Sequence, residues 1–128
     1  DARAHVFGFT CVNDVTARAL QDAGTQYSHA KGYDTFAPLG PCIATGLDDS
    51  DLEVSGTVNG VVRQRSTTAQ LIFGVDRLIA YISTIMTLEP GDVIATGTPA
   101  GIAPLQAGDE VVVRVAGVGE LANPVVAG

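Results

Sequence analysis

The chain has 128 residues, of which 46% are hydrophobic and 16% are charged, and this balance excludes a disordered segment and fits one compact, turn-rich unit over residues 1–128. Its formal net charge of −7 excludes a basic surface for phosphates, so nucleic acid is not an expected partner. The apolar runs are too short to cross a bilayer, so no membrane association is expected, and two cysteines without paired spacing favour a reducing, cytoplasmic compartment.

The first third of the chain predicts a strand, a short helix and an irregular loop. Residues 5–12 are aromatic and β-branched, which is typical of a strand. Residues 15–23 hold good helix formers, and either Asp14 or Thr16 is expected to cap that helix. Residues 33–41 carry two prolines and are expected to be irregular.

A β-hairpin is predicted in the middle of the chain. Residues 52–58 alternate moderately between apolar and polar side chains. Asn59 and Gly60 then give the strongest short hairpin signal that a sequence offers, with residues 61–65 as the returning strand.

The hydrophobic period changes after the hairpin. Apolar side chains then recur at spacings of three and four, which predicts an amphipathic helix that opens near Thr67 or Thr68 and carries Leu71, Ile72, Val75, Leu78, Ile79 and Ile82. Further short strands are predicted at residues 93–96, 110–115 and 118–121. Strands outnumber helices, so the expected class is α+β, with a mostly antiparallel or mixed sheet rolled on itself.

Three polar residues near the first helix are candidates for chemistry. Asp14 lies where strand gives way to helix, a place that suits either a helix cap or a metal ligand. On a continuous helix, Arg18 and Gln21 would project from the same face as Asp14. That face is either a solvated surface or a site that reads an anion beside a metal, since arginine binds carboxylates through two hydrogen bonds.

Two further candidates lie in loops. Lys31 is the only lysine of the chain, and it is either a surface residue or a partly desolvated group that polarises a carbonyl or carries a proton. Thr98 lies in a Gly-Thr-Pro turn, which is either structural or a place where a hydroxyl and backbone N–H groups meet a substrate carboxylate.

Several ordered blocks of the sequence resemble the fumarylacetoacetate hydrolase family. They read GFTCVNDVTAR with Leu20-Gln21, AKGYDTFAPLGP, VNG followed by Arg63-Gln64 and Thr68, LEPGDVIATGTPAG, and AGD followed by GVGELANP. Their order and spacing agree over essentially the whole chain. The first block is most similar to that of the bacterial 2-hydroxyhepta-2,4-diene-1,7-dioate isomerase group.

The resemblance implies a β-roll with few short helices and a metal-dependent enzyme. It implies that Mg²⁺ or Mn²⁺, with Ca²⁺ as an alternative, is held partly by Asp14, while Lys31 is catalytic and Arg18, Gln21 and Thr98 bind substrate. The implied substrates are small 2-oxo, 2-hydroxydienoic or acylpyruvate acids of aromatic catabolism, processed by an isomerase, decarboxylase or C–C hydrolase through a metal-stabilised enolate. A cytoplasmic homodimer is also implied.

The sequence departs from the family pattern in two respects. The family's Glu-x-Glu metal-ligand pair lies N-terminal to the position of Asp14, and these 128 residues do not contain it. The domain is therefore expected to be incomplete at its N-terminus and inactive by itself. Ala19 stands where the family usually has aspartate. The alternative function is a catalytically silent binding or assembly module.

Overall fold

The computed structural model describes residues 1–127, which form two antiparallel sheets with a few short helices. The six strands are β1 (Phe9–Val12), β2 (Leu39–Ala44), β3 (Glu53–Val58), β4 (Val61–Thr67), β5 (Glu110–Val115) and β6 (Gly119–Pro124). The α-helices are α1 (Arg18–Ala23), α2 (Ser28–Lys31) and α3 (Val75–Ile82), and 3-10 turns cover Arg3–His5 and Thr68–Gln70. The predicted α+β class is confirmed, and every strand pair described is antiparallel.

The larger sheet has the strand order β4-β3-β5-β6. Its first two strands form the predicted hairpin, because Asn59 and Gly60 adopt the positive φ angles, 51° and 75°, that a tight two-residue turn requires. The centre of the sheet pairs β3 with β5, from Val54 opposite Val115 to Val58 opposite Val111.

The smaller sheet pairs β1 with β2 and packs against β6. Cys11, Val118 and Leu121 are the buried centre of this contact, with half-buried Phe9 and Val113 packed around them. Cys11 is only 1% exposed, and burial raises the pKa of its thiol, which makes it an apolar core residue and a poor nucleophile.

Several predicted elements differ from the structure. The strand predicted over residues 5–12 begins only at Phe9: a 3-10 turn occupies Arg3–His5, and the pairing with β2 begins at Phe9. The irregular stretch at 33–41 gives way to β2 at Leu39, since a two-stranded sheet tolerates Pro41 in a strand with one free edge.

The helix predicted to open near Thr67 or Thr68 begins only at Val75. A 3-10 turn and an extended Gly74 interrupt the apolar period, so the pattern spans two separate elements. The strand predicted at residues 93–96 does not form, because no described strand pairs with this segment. Among residues 1–127, no helix has the length and apolar character needed to cross a membrane.

Candidate functional site

Asp14 lies two residues beyond the end of β1, in a turn and not in a helix. The Asn13 N–H donates to the Pro38 carbonyl at 3.1 Å, which ties this turn to the segment that leads into β2. Helix α1 begins at Arg18, and its N-cap residue, Ala17, has no side-chain cap. The prediction that Asp14 or Thr16 caps the helix is therefore wrong, and the Thr16 hydroxyl instead donates to the Asp14 carbonyl at 3.1 Å.

The Asp14 carboxylate forms an ion pair with the Lys31 ammonium group. Helix α2 carries Lys31 to this position by packing on α1, where Ala30 is fully buried and its carbonyl accepts a hydrogen bond from the Ala17 N–H at 2.9 Å. The Lys31 and Asp14 side chains are 32% and 38% exposed, so solvent and small molecules reach the pair. The only lysine of the chain is thus held beside the predicted metal ligand.

Arg18 and Gln21 face each other on α1, one turn apart, and the Arg18 guanidinium donates to the Gln21 side-chain oxygen. Asp14 precedes the helix, so the prediction that all three residues project from one helical face is wrong. A guanidinium has five N–H donors, so Arg18 keeps donors for an anion after this contact. The Asp14–Lys31 and Arg18–Gln21 pairs lie on one small unit built from the β1 end, α1 and α2.

Thr98 lies in an irregular segment that rests against β4. The Gln64 side-chain amide, from β4, donates to the Thr98 hydroxyl at 2.7 Å and to the Pro99 carbonyl at 2.6 Å. The sequence places Gln64 in one of the blocks that resemble the family but predicts no role for it. In the structure Gln64 is half-buried between exposed Arg63 and Arg65. Among residues 1–127, no hydrogen bond joins the Thr98 segment to the Asp14–Lys31 pair.

Residues 1–127 supply only part of the ligand set that a divalent cation needs. Asp14 offers the hard carboxylate oxygen that Mg²⁺ and Mn²⁺ prefer. However, the described residues contain no group of three His, Cys, Asp or Glu side chains able to hold a metal ion. The donor chemistry of Asp14 therefore fits such an ion, while this chain alone does not complete its site.

An open cleft lies elsewhere, between the N-terminal turn and α3. It has a volume of about 680 Å³ and is lined partly by Arg3, Asp49 and Asp76. Arg3 bridges the two carboxylates at 2.8 Å each, so salt bridges span this cleft. None of the five predicted site residues lines it.

Comparison with known proteins gives matches along almost the whole chain. Residues 1–126 match the family described as "Fumarylacetoacetate (FAA) hydrolase C-terminal". Oxaloacetate tautomerase FAHD2A, mitochondrial, from Bos taurus is 42% identical over 138 residues, which cover 98% of this chain and 44% of that protein. The chain spans about half the length of the curated relatives that it matches.

Solved structures share the fold. The 2-hydroxyhepta-2,4-diene-1,7-dioate isomerase from Mycobacterium marinum is 48% identical with a TM-score of 0.92, over 94% of this chain and 48% of that chain. Maleylpyruvate hydrolase from Sphingobium sp. SYK-6, in complex with manganese(II) and pyruvate, is 39% identical with a TM-score of 0.88, over 98% of this chain and 46% of that chain. The resemblance found in the sequence is therefore confirmed, and the chain belongs to the fumarylacetoacetate hydrolase family.

Proposed function

We propose that this chain is part of a divalent-metal-dependent enzyme that isomerises or cleaves small 2-oxo acids. The observation that carries the proposal is the contact between Asp14 and Lys31, because it puts a hard oxygen ligand and a mobile ammonium group side by side on a reachable surface. Family membership supports it, since the relatives named above include a tautomerase, an isomerase and a hydrolase. The names of these relatives share one chemistry, the interconversion or cleavage of acids that carry a carbonyl or enol.

In this proposal Asp14 supplies one carboxylate oxygen to Mg²⁺ or Mn²⁺, and the remaining ligands come from outside residues 1–128. When bound, such an ion supplies Lewis-acid stabilisation of negative charge on oxygen. A maleylpyruvate hydrolase of the same fold in complex with manganese(II) supports the choice of ion.

Lys31 is proposed to act on the reacting atoms. A primary ammonium placed within reach of a developing enolate lowers its energy through charge and is able to deliver or remove a proton. The contact with Asp14 places the lysine ammonium next to the carboxylate that is proposed to hold the cation. Lys31 is therefore the catalytic residue that we assign within this chain.

Arg18, Gln21 and Thr98 are proposed to hold the substrate. Arg18 pairs with a carboxylate through two N–H groups, and its contact with Gln21 restricts the orientation of the guanidinium. The exposed Thr98 hydroxyl is proposed to bind the carboxylate next to the 2-oxo group. A small dicarboxylic or 2-oxo acid is thus the proposed partner of this site.

Calorimetry of the full-length natural protein with MnCl₂ and MgCl₂ tests the proposal. We expect dissociation constants of about micromolar order for the unchanged protein and loss of binding in Asp14→Ala, because a cation site weakens sharply when a charged ligand is removed. Asp22→Ala is the matched control, since it removes an exposed carboxylate of α1 away from the Lys31 contact.

Turnover of oxaloacetate and of maleylpyruvate, followed by their ultraviolet absorbance, completes the test. Metal-dependent conversion of either acid supports the enzyme. A protein that binds neither cation and converts neither acid would instead be the catalytically silent binding or assembly module, which no observation of the structure favours.

A further inference from the structure

The side chain of Gln64 makes a two-point contact with the turn that carries Thr98. Its amide nitrogen donates to the Thr98 hydroxyl at 2.7 Å and to the Pro99 carbonyl at 2.6 Å. These contacts span more than thirty residues of sequence, so β4 fixes the turn from outside its own chain segment.

Two glycines make room for this contact. Gly56 is the cross-strand neighbour of Gln64, and a Cβ at Gly56 would lie 3.2 Å from the Gln64 side-chain oxygen. Gly101 has a φ of +105°, and a Cβ there would lie 2.0 Å from the Arg63 carbonyl oxygen. The backbone of the turn therefore lies directly against β4 beside Gln64, and a side chain at Gly101 would separate them.

The orientation of the Gln64 amide follows from its partners. The Pro99 carbonyl only accepts hydrogen bonds, so the atom of Gln64 that faces it must be the NH₂ group. The same nitrogen faces the Thr98 hydroxyl, whose oxygen must therefore be the acceptor in that contact. The hydroxyl hydrogen of Thr98 is left to point away from Gln64, and Thr98 is an exposed residue.

We propose that Gln64 is a positioning residue that keeps Thr98 as a hydrogen-bond donor toward the carboxylate of a 2-oxo acid. This inference rests on the proposed function, because it deepens the role assigned to Thr98. Gln64 does not touch the substrate. It holds the Thr98 oxygen as an acceptor on one side, so that the hydroxyl hydrogen must point away from Gln64.

The substitution Gln64→Glu tests this with almost no change of shape. A glutamate accepts hydrogen bonds only, so it would draw the Thr98 hydrogen toward itself, face the Pro99 carbonyl unfavourably and repel a substrate carboxylate. In the full-length protein with saturating MnCl₂, calorimetry with pyruvate as the probe should show affinity lowered by at least about tenfold. Affinity for Mn²⁺ should stay unchanged, and for oxaloacetate KM should rise more than kcat falls.

Three further variants separate positioning from general damage. Arg65→Gln lies on the same strand but faces the other side, where Arg65 pairs with Glu53 at 2.7 Å, and it should leave pyruvate binding unchanged. In a Thr98→Val background, Gln64→Met should lose much of its effect, because the hydroxyl that Gln64 orients is gone, whereas the charge repulsion introduced by Gln64→Glu would persist there. If Gln64→Glu prevents folding, Gln64→Met is the second variant. It should weaken pyruvate binding and leave the affinity for Mn²⁺ unchanged.

The outcomes separate this inference from the proposed function. Unchanged pyruvate affinity in a folded Gln64→Glu or Gln64→Met protein overturns the role of Gln64 and leaves the metal-dependent enzyme intact. An effect of Gln64→Met that is equally large in the Thr98→Val background also overturns it. If the unchanged protein with Mn²⁺ binds no pyruvate and converts no oxaloacetate, both the proposed function and this inference are wrong.

Discussion

At the scale of single residues, the contact between Asp14 and Lys31 contributes position more than stability. Both side chains are about one third exposed, and ion pairs of that kind stabilise a fold by about 0–1 kcal/mol. The carboxylate also meets the ammonium instead of a helix N-terminus, so it gives nothing to α1. A residue pair that does little for folding, yet is held together by two packed helices, is best understood through the chemistry of the site.

We expect Lys31→Met to lower kcat of the full-length enzyme by roughly 10²-fold, the effect of removing a positioned acid–base or electrostatic group. Affinity for Mn²⁺ should be kept or raised, because the lysine no longer competes with the cation for the Asp14 carboxylate. Steady-state kinetics and calorimetry check both parts. Arg77→Met removes a positive charge on α3 and serves as the control. Unchanged turnover in Lys31→Met would mean that Lys31 is a surface residue without a catalytic role.

The carboxylate of Asp109 makes the free energy of unfolding depend on pH. The Gln106 N–H and the Asn59 side-chain amide donate to Asp109, and these hydrogen bonds hold the pKa of its carboxyl below the ordinary value of 3.8. The charged form is thus favoured in the folded state. The resulting stabilisation is full above pH 3.8 and is lost as the pH falls through the lower folded pKa.

Asp109→Asn should therefore be less stable than the unchanged protein near neutral pH, and the difference should shrink in acid. Urea unfolding at about pH 7 and about pH 2.5 measures it. Asp22→Asn removes an exposed carboxylate of α1 and should show a difference that depends less on pH. A difference for Asp109→Asn that is constant across this range would show that the hydrogen bonds do not favour the charged form.

At the scale of elements, the turn between β3 and β4 is joined to the start of β5 by one side chain. Asn59 donates to Asp109 at 2.8 Å and accepts from the Glu110 N–H at 2.9 Å, while its own backbone has a φ of 51°. Asn59→Ala should lower the free energy of unfolding by about 2–3 kcal/mol, since it loses both hydrogen bonds and places alanine in a left-handed conformation.

Asn59→Gly separates these two causes. Glycine adopts the positive φ without strain, so this variant should lose only the hydrogen bonds and stay more stable than Asn59→Ala. Urea titration of both variants gives the order. Equal destabilisation of the two would mean that backbone conformation contributes nothing at this turn.

Elements set by local chemistry could be predicted from the sequence, and those set by distant partners could not. The β3–β4 hairpin follows from Asn59-Gly60, and β5 follows from its β-branched run. Residues 93–96 have a similar composition but no strand beside them, and β2 forms because β1 lies next to it. The apolar periodicity of the sequence also does not reveal the break at Gly74, after which α3 begins at Val75.

The same distinction applies to the candidate site. Asp14, Arg18, Gln21 and Lys31 could be chosen from the resemblance, but the pairing of Asp14 with Lys31 depends on two helices packing through Ala30. The contact between Gln64 and Thr98 depends on an irregular segment lying against β4, and no short-range pattern encodes it. The resemblance therefore names candidate residues, while their geometry follows only from the fold.

At the scale of the whole molecule, few apolar side chains are buried and many are exposed. The buried ones among residues 1–127 are Cys11, Ala30, Val111, Val118 and Leu121. No residue of α3 is buried, although its apolar side chains form one stripe. Three exposed apolar residues close in sequence at the end of this helix, Tyr81, Ile85 and Met86, are called the α3 patch. Clustered apolar surface of this kind usually marks an interface.

We expect the 128-residue chain to associate with itself through the α3 patch, in line with the homodimer that the family resemblance implies. Ile85 and Met86 are 62% and 58% exposed, and burying such a side chain contributes about 1.5–3 kcal/mol. The double substitution Ile85→Lys with Met86→Lys should therefore weaken association by at least about tenfold, as measured by sedimentation velocity over a range of concentrations. Val126→Lys changes an apolar residue outside the patch that is 78% exposed, so it should leave the association constant unchanged. A monomer at every concentration, or equal weakening by the control, would mean that the α3 patch is not where two copies of the chain meet.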